Sequence, residues 1–215
     1  MRFYVPPDSI FPDKNIIEIK DKTEVHHIRD VMRLEKGDSV DIFDGQGMEF
    51  SCCIEEINRH SIIIKIQVVK SSVGEGFKPS PAITLYQAIP KKTKMDFIVE
   101  KCVELGAARI VPVITDRTVP DARDSTKKAE RWRRIGMASS KQCGRTKLPI
   151  ISDIMNFNKA LIEAKGKDLV IFAALDKEAK PLKAVLRDLM PIDETLKGEF
   201  QSRNPAFRLP FDITP

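Results

Sequence analysis

Residues 91–147 carry the side chains whose types and spacing most clearly predict a chemistry. This segment holds 15 Lys and Arg against 7 Asp and Glu. Neutralising a phosphate releases condensed counterions, so a surface with this excess of positive charge favours a polyanion such as RNA. An ordinary solvated basic surface is the alternative that charge alone leaves open. The side chains that we predict to contact RNA here are Lys91, Lys92, Lys94, Arg117 and Arg145.

The positive charge is concentrated in the second part of the chain. Residues 1–75 have 10 Lys and Arg against 14 Asp and Glu, whereas residues 76–215 have 26 against 17. The whole chain of 215 residues has a formal net charge of +5, and its 42% of hydrophobic residues suffices for one large core or two small ones. The asymmetry predicts two parts with different roles.

The cysteine and histidine residues form no recognisable metal or redox pattern. The four cysteines, at positions 52, 53, 102 and 143, lack zinc-binding or redox spacing, so we interpret them as reduced thiols. His26 and His27 are not interpreted as a metal or acid-base pair, because adjacent residues of a helix do not face one site. The cysteine and histidine spacings therefore predict a protein without a metal site. No signal-peptide pattern and no apolar stretch of roughly 20 residues is present, which predicts a cytoplasmic protein.

A βαβ unit is the element that must position most of the predicted cations. Its strands are predicted over Leu85–Ile89 and Arg109–Thr115, which are short and apolar, as in strands covered on two faces. Between them, Thr93 and Asp96 have the spacing of a capping box, and apolar residues recur at helical intervals until a glycine ends the helix. The helical crossover predicts two parallel strands of an α/β sheet.

The alternation of helix and strand continues after this unit. The helix predicted over residues 126–142 has its Lys and Arg residues on one side and Ala129, Trp132 and Ile135–Ala138 on the other. A strongly apolar strand, DLVIFAA, is predicted over Asp168–Ala174. Two further helices are predicted over Asp153–Lys165, with Asn156 as N-cap, and over Lys180–Leu189.

Residues 1–70 predict a small β-barrel. Short strand-like runs, RFYV, IIEI, SVDIFD, EFSCCIEEI and SIIIKIQVV, are separated by turns, among them the hairpin signal DGQG at Asp44–Gly47. One helix is predicted over Thr23–Leu34, with Thr23 as N-cap and a buried stripe that includes Ile28 and Val31. Residues 71–80, SSVGEGFKPS, have the composition of a linker, which places the domain boundary there.

Two long segments of the sequence resemble a known enzyme family. IPKKTKMDFIVEKCVELGAARIVPVITDRT and RWRRIGMASSKQCGRTKLPII, preceded by HHIRDVMRLEKGDSVDIFDGQG, are similar to the RsmE-type 16S ribosomal RNA uracil-N3 methyltransferases of the knotted SPOUT class. The resemblance covers about residues 1–190. It implies a PUA-like RNA-binding barrel (1–70), the linker (71–80) and a trefoil-knot α/β domain (81–190). It also implies a homodimer that methylates uridine N3 in 16S ribosomal RNA with S-adenosylmethionine.

The same resemblance assigns functions to particular residues. Arg29 and Arg33 lie in the region that helps the related enzymes grip RNA, although solvated helix charges have the same appearance in a sequence. Ala173, Ala174 and Leu175 lie at the first loop lining the methyl-donor pocket, although small residues are common at strand ends without any ligand. No residue is assigned a catalytic role.

Residues 191–215 depart from the family pattern. The family continues with a Gly-Pro-Glu-Gly-Gly loop and a Leu-Arg-x-Glu-Thr-Ala motif, and neither occurs in this proline-containing segment. We therefore expect a truncated α/β domain that binds S-adenosylmethionine poorly. Three functions remain open: the family's methyltransferase activity, a non-catalytic RNA-binding remnant, and a metabolic enzyme, for which no nucleophile-base set or phosphate-binding motif is found.

Overall fold

Residues 1–71, 81–118, 125–173 and 180–189 are described by a computed structural model. The chain divides into two compact units, residues 1–167 and 168–215. The first unit contains both of the sheets formed by the described residues. Most of the predicted linker and the whole segment 191–215 lie outside the described residues, so the predicted domain boundaries stay a prediction.

The N-terminal part is a curled six-stranded sheet, as the barrel pattern predicts. Its strands are β1 (Arg2–Tyr4), β2 (Ile10–Phe11), β3 (Ile16–Ile19), β4 (Ser39–Phe43), β5 (Met48–Ile57) and β6 (Ile62–Ser71), in the order β1-β4-β5-β6-β3-β2. Only β1 and β4 are parallel. Alternate residues such as Ile17 and Ile19 or Ile62 and Ile64 are buried in one core. Two register shifts between β5 and β6 curl the sheet around that core.

The helix that closes this core differs from its prediction at both ends. Helix α1 (Lys22–His26) is capped by Asp21, whose carboxylate accepts from two backbone amides, so the prediction of Thr23 as N-cap is wrong. The helix continues as a π-helical turn over His27–Val31. The wider turn buries Ile28 but leaves Val31 57% exposed, because the extra residue per turn rotates it off the predicted stripe.

The second sheet is parallel, as the βαβ pattern predicts. Its strands are β7 (Thr84–Ala88), β8 (Arg109–Ile114), β9 (Ile150–Ile151) and β10 (Met155–Asn156). Strand β8 is central: β7 pairs along one side of it, while β9 and β10 pair along the other. Strand β8 is almost fully buried, whereas β7 is only half-buried, so two-sided coverage is confirmed for β8 alone.

Two helices cover one face of this sheet. Helix α2 (Lys94–Glu104) ends at Gly106, which adopts a left-handed φ of 96°, and α3 (Ser125–Cys143) ends at Gly144. The prediction for α3 errs at Ala138, which is exposed, while Ser139 and Ser140 are buried in its place. The helices and strands share one core, made of Met95, Val99, Val103, Ala107, Ile110, Trp132 and Ile151.

The remaining elements are α4 (Phe157–Ala164) and α5 (Leu182–Leu189). Asn156 is the N-cap of α4, as predicted, but the helix starts later than predicted because β10 occupies the preceding residues. The strand predicted over Asp168–Ala174 is wrong for the described residues 168–173, which form no strand. Leu169 to Phe172 are exposed, whereas an apolar run of this kind predicts a buried strand.

Candidate nucleic-acid interface

Four of the predicted RNA contacts lie at one edge of the parallel sheet. Strands β7 and β8 run in register, with Ala88 opposite Val113, so the loops that follow them leave the sheet on the same side. The first loop and the start of α2 carry three exposed lysines, and the second loop carries an exposed arginine. None of these side chains has an ion pair or hydrogen bond with another described residue. The four cations are Lys91, Lys92, Lys94 and Arg117.

The backbone at this edge holds the cations in defined positions. Pro90 cannot donate a hydrogen bond and ends the pairing of β7. Lys92 adopts a left-handed conformation with φ of 61°, which costs a non-glycine residue on the order of 1 kcal/mol. In the second loop, Thr118 closes a tight turn by donating its hydroxyl to the Thr115 carbonyl at 2.7 Å. The sequence alone did not indicate the conformation of Lys92 or the turn closed by Thr118.

The first turn of α2 is fixed by α3 rather than by a capping box. Thr93 is the N-cap but makes no side-chain capping bond, so the predicted reciprocal contact with Asp96 is wrong. The Asp96 carboxylate instead accepts from the Trp132 indole at 3.1 Å and from the Arg131 guanidinium at 2.6 Å. Asp96 thus accepts from two adjacent residues of α3, and these contacts join the two helices beside the basic edge.

Arg145 has structural contacts that compete with its predicted role. Its Nη1 donates to the Val103 carbonyl at 3.0 Å and to the Ala107 carbonyl at 2.8 Å. These carbonyls lie at and just after the end of α2, where the Val103 carbonyl also accepts from the Gly106 amide, so Arg145 adds a donor at the helix terminus. The guanidinium is half-buried there. Its contact with RNA stays a prediction.

The two arginines predicted on the barrel differ in their surroundings. Arg29 donates to both oxygens of Asp30 at 2.7 Å and to the Arg59 carbonyl at 2.8 Å. Asp30 also contacts His26, and these hydrogen bonds, from Arg29 first, hold the pKa of the Asp30 carboxyl well below its usual range. Arg33 is exposed and left-handed, with φ of 53°. Arg29 therefore orders the protein, while Arg33 is accessible to a ligand.

The predicted methyl-donor residues fall at the limit of what the structure describes. Ala173 is exposed, and it follows the exposed apolar run from Leu169 to Phe172. Ala174 and Leu175 lie outside the described residues. The prediction that these three residues line a donor pocket is therefore neither confirmed nor contradicted.

Sequence reasoning missed a polar network on the other face of the parallel sheet. Glu163 of α4 accepts from the Tyr86 hydroxyl at 2.8 Å and forms an ion pair with Arg109, whose Nε also donates to Ser152 at 2.8 Å. The hydrogen bond from Tyr86, followed by that from Arg109, lowers the pKa of Glu163. Tyr86 and Arg109 lie 77 and 54 positions before Glu163 in the sequence, so no local spacing could have revealed the network.

Thiol and metal chemistry receive no support from the geometry. The four cysteines are free, and burial raises the pKa of the Cys52 thiol to about 12 and raises that of Cys102. Within the described ranges, no group of three or more His, Cys, Asp or Glu side chains could hold a metal ion. None of the helices in those ranges has the length and apolar character needed to span a membrane.

The architecture is that of a PUA-like β-barrel followed by a SPOUT-type α/β methyltransferase domain. A family model described as an RNA methyltransferase domain matches residues 78–196, just over half of the chain. A second model, an RNA methyltransferase PUA domain, matches residues 19–67. The chain therefore belongs to the RNA methyltransferase family, and its resemblance to the RsmE type is confirmed.

Curated relatives support the same assignment. The ribosomal RNA small subunit methyltransferase E of Bacillus subtilis is 28% identical over 152 residues, which are 70% of this chain and 58% of the relative. The corresponding Synechocystis protein is 26% identical over 159 residues, 74% of this chain and 50% of the relative. The chain thus spans between half and three fifths of these two relatives.

Solved methyltransferase structures are similar to this chain in fold. The ribosomal RNA small subunit methyltransferase E from Neisseria gonorrhoeae, bound to S-adenosyl methionine, is 28% identical with a TM-score of 0.64, over 78% of this chain and 65% of that one. A putative methyltransferase from Legionella pneumophila, in complex with the bound cofactor SAM, is 27% identical with a TM-score of 0.66, over 82% and 72%.

Proposed function

We propose that this chain recognises 16S ribosomal RNA and that its function is the S-adenosylmethionine-dependent methylation of uridine at N3. The observation that carries the proposal is a cluster of four exposed cations, Lys91, Lys92, Lys94 and Arg117, at the carboxyl edge of the parallel sheet, which have no partner among the described residues. Ligands of open α/β sheets bind at this edge, and cations there suit phosphates. Relatives named as small-subunit methyltransferases support the choice of RNA.

Each part of the chain has a defined task in this proposal. The four edge cations bind RNA phosphates beside the reacting base, while Arg33 on the barrel contacts a more distant phosphate and Arg29 orders that region. S-adenosylmethionine, when bound, supplies an activated methyl group. Ala173, Ala174 and Leu175 would provide one backbone wall for it. The chain's own contribution is to position RNA and exclude water, and no catalytic residue is assigned.

The 215-residue chain by itself should bind the donor weakly. Micromolar affinity requires about 8 kcal/mol of binding free energy, which depends on enclosing both arms of the ligand. Leu169 to Phe172, which lead into the predicted wall, are exposed. This observation favours the second candidate, an RNA-binding protein of this family that does not catalyse methylation alone.

A homodimer is part of the proposal. In the first unit, Ile83, Ile150 and Ile162 are more than half exposed. Apolar side chains of this size favour association when they form a continuous surface. Sedimentation of the full chain tests whether it associates.

Two measurements on the purified full chain decide between the candidates. Calorimetry with S-adenosylmethionine at about 100 μM, well above a micromolar dissociation constant, tests donor binding. Filter binding tests RNA affinity. Mass spectrometry of 16S ribosomal RNA incubated with the chain and donor tests for 3-methyluridine. We expect RNA binding with little donor binding. Saturable micromolar donor binding with formation of 3-methyluridine would establish the enzyme and refute the weak-binding proposal, whereas a chain that binds no RNA would refute both candidates.

A further inference from the structure

A groove on the barrel joins the predicted Arg29 to further positive charge that the sequence analysis did not identify. It lies between α1 and the loop joining β5 to β6, and it has a volume of about 300 Å³. Three of its lining residues are permanent cations, two are histidines, and none is an acid. The lining residues are Lys22, Val25, His26, Arg29, Arg59 and His60.

The acidic residues around α1 are already engaged elsewhere. Asp21 accepts from the backbone amides of Thr23 and Glu24 at 3.0 Å, as the helix cap. Glu24 forms an ion pair with Lys141 of α3. Asp30 is held by Arg29 and by His26, each at 2.7 Å. These three carboxylates therefore have partners already, and none of them lines the groove.

Arg29 builds the groove rather than acting as its free ligand. Its guanidinium uses two nitrogens on Asp30 and the third on the Arg59 carbonyl. This contact fixes the β5–β6 loop against the helix, and the loop is closed by the Asn58 amide, which donates to the Ser61 carbonyl at 2.8 Å. Arg59 and His60 are consequently presented toward Lys22. Among described residues, the side chains of Lys22 and Arg59 have no hydrogen-bonding or ionic partner.

We propose that this groove is a phosphate-binding site for RNA, with Lys22 and Arg59 as the contacting cations, His60 as an additional donor and Arg29 as the positioning residue. It rests on the proposed function, because the RNA that binds here is the same molecule that reaches the carboxyl edge of the parallel sheet. Two cations without internal partners suit a ligand with repeating negative charge, and a fork-shaped guanidinium matches the geometry of a phosphate.

The test is the double substitution of Lys22→Gln and Arg59→Gln in the full chain, with Lys65→Gln as the matched control. Lys65 is exposed on β6, where its neighbours Ile64 and Ile66 point into the core that α1 covers, so Lys65 faces away from the groove. Affinity for an RNA hairpin is measured against salt concentration. The slope of log affinity against log salt should become shallower by roughly 1.4 to 1.8 in the double variant, at about 0.7 to 0.9 per phosphate contact. The control should match the wild-type chain within about half of one contact's value.

The outcomes separate this site from the wider proposal. An unchanged slope in the double variant, while the wild-type chain binds RNA, overturns the groove alone. A wild-type chain that binds no RNA overturns the proposed function and this site together. A double variant that keeps its RNA affinity but loses binding to polyglutamate would reassign the groove to an acidic protein segment. Lysine acetylation of the wild-type chain gives a readout that needs no substitution: RNA should protect Lys22 and leave Lys65 reactive, and equal reactivity would contradict the site.

Discussion

Replacement of Arg145 by Ala should lower stability before it affects RNA binding. Arg145 Nη1 donates to the carbonyls of Val103 and Ala107, at 3.0 and 2.8 Å, in a half-buried position. A hydrogen bond from a charged donor contributes about 1.5–3 kcal/mol. Both acceptors share one nitrogen, and the Val103 carbonyl keeps its bond from the Gly106 amide. The expected loss is therefore about 2 kcal/mol, within the range for one such bond rather than two.

Thermal and urea denaturation of the purified variant measure this loss directly. For a chain of about 200 residues, a loss of about 2 kcal/mol corresponds to a decrease in Tm of roughly 4–8 °C. Lys147→Ala is the matched control, because Lys147 is an exposed cation two positions away. Its Tm should stay within about 1–2 °C of the wild-type value, as for surface substitutions.

The same variant decides the second role predicted for Arg145. A specific RNA contact would weaken binding by about 1–3 kcal/mol at a temperature where the variant is fully folded. Reduced stability with unchanged RNA affinity would establish a purely structural residue. An unchanged Tm would refute the reasoning from the two carbonyls, and an accompanying loss of RNA affinity would then show that the guanidinium leaves them to bind phosphate.

Two further predictions concern the polar network and the association of the chain. The pKa of Glu163 is lowered below its ordinary value of 4.5, so the network's contribution should be present above that pH and lost as the pH falls through the lowered value. Urea denaturation from pH 7 to pH 3 should therefore show wild type and Glu163→Gln converging on acidification, and a difference independent of pH would contradict this role. Sedimentation velocity at tens of micromolar chain should show dimers or larger species, because exposed apolar patches above a few hundred Å² are rarely left bare, and a clean monomer would contradict the proposed dimer.

Local patterns predicted the elements but not the contacts between them. The helical periodicity of α2, the β-branched residues of β8 and the glycine after each helix were sufficient to place these elements within a residue or two. The capping box failed because Asp96 is bound by Trp132, which lies 36 positions away and enters its reach only after α3 packs on α2. Sequence spacing contains no information about such a competitor.

Of the candidate site, too, the sequence predicted the local elements but not the contacts between distant residues. The basic loops could be predicted, since composition places Lys91, Lys92 and Arg117 after two apolar strands. The groove could not, because Lys22 and Arg59 are 37 positions apart and meet only through the contact of Arg29 with the β5–β6 loop. The apolar run at 168–173 misled the strand prediction, because a strand requires a hydrogen-bonding neighbour that a single segment does not reveal.

The barrel and the parallel sheet belong to one unit, and specific contacts connect them. Within the barrel, the guanidinium carbon of Arg2 in β1 lies 4.1 Å from the ring centroid of Phe43. The same guanidinium donates to the Ser140 carbonyl in α3 at 3.2 Å and to the Arg145 carbonyl just after α3 at 2.9 Å. The Gly45 carbonyl, in the β4–β5 turn, accepts a hydrogen bond from the Leu148 amide at 2.9 Å.

These contacts hold the barrel groove and the basic edge of the sheet in a fixed relationship, so an RNA that spans both surfaces loses little additional entropy when the second contact forms. Two weak phosphate-binding surfaces can then give a high combined affinity without a large interface at either one. If a variant that lacks the cations of both surfaces loses less affinity than the sum of the losses in the two separate variants, the groove and the edge are coupled, because each separate variant already loses the coupling.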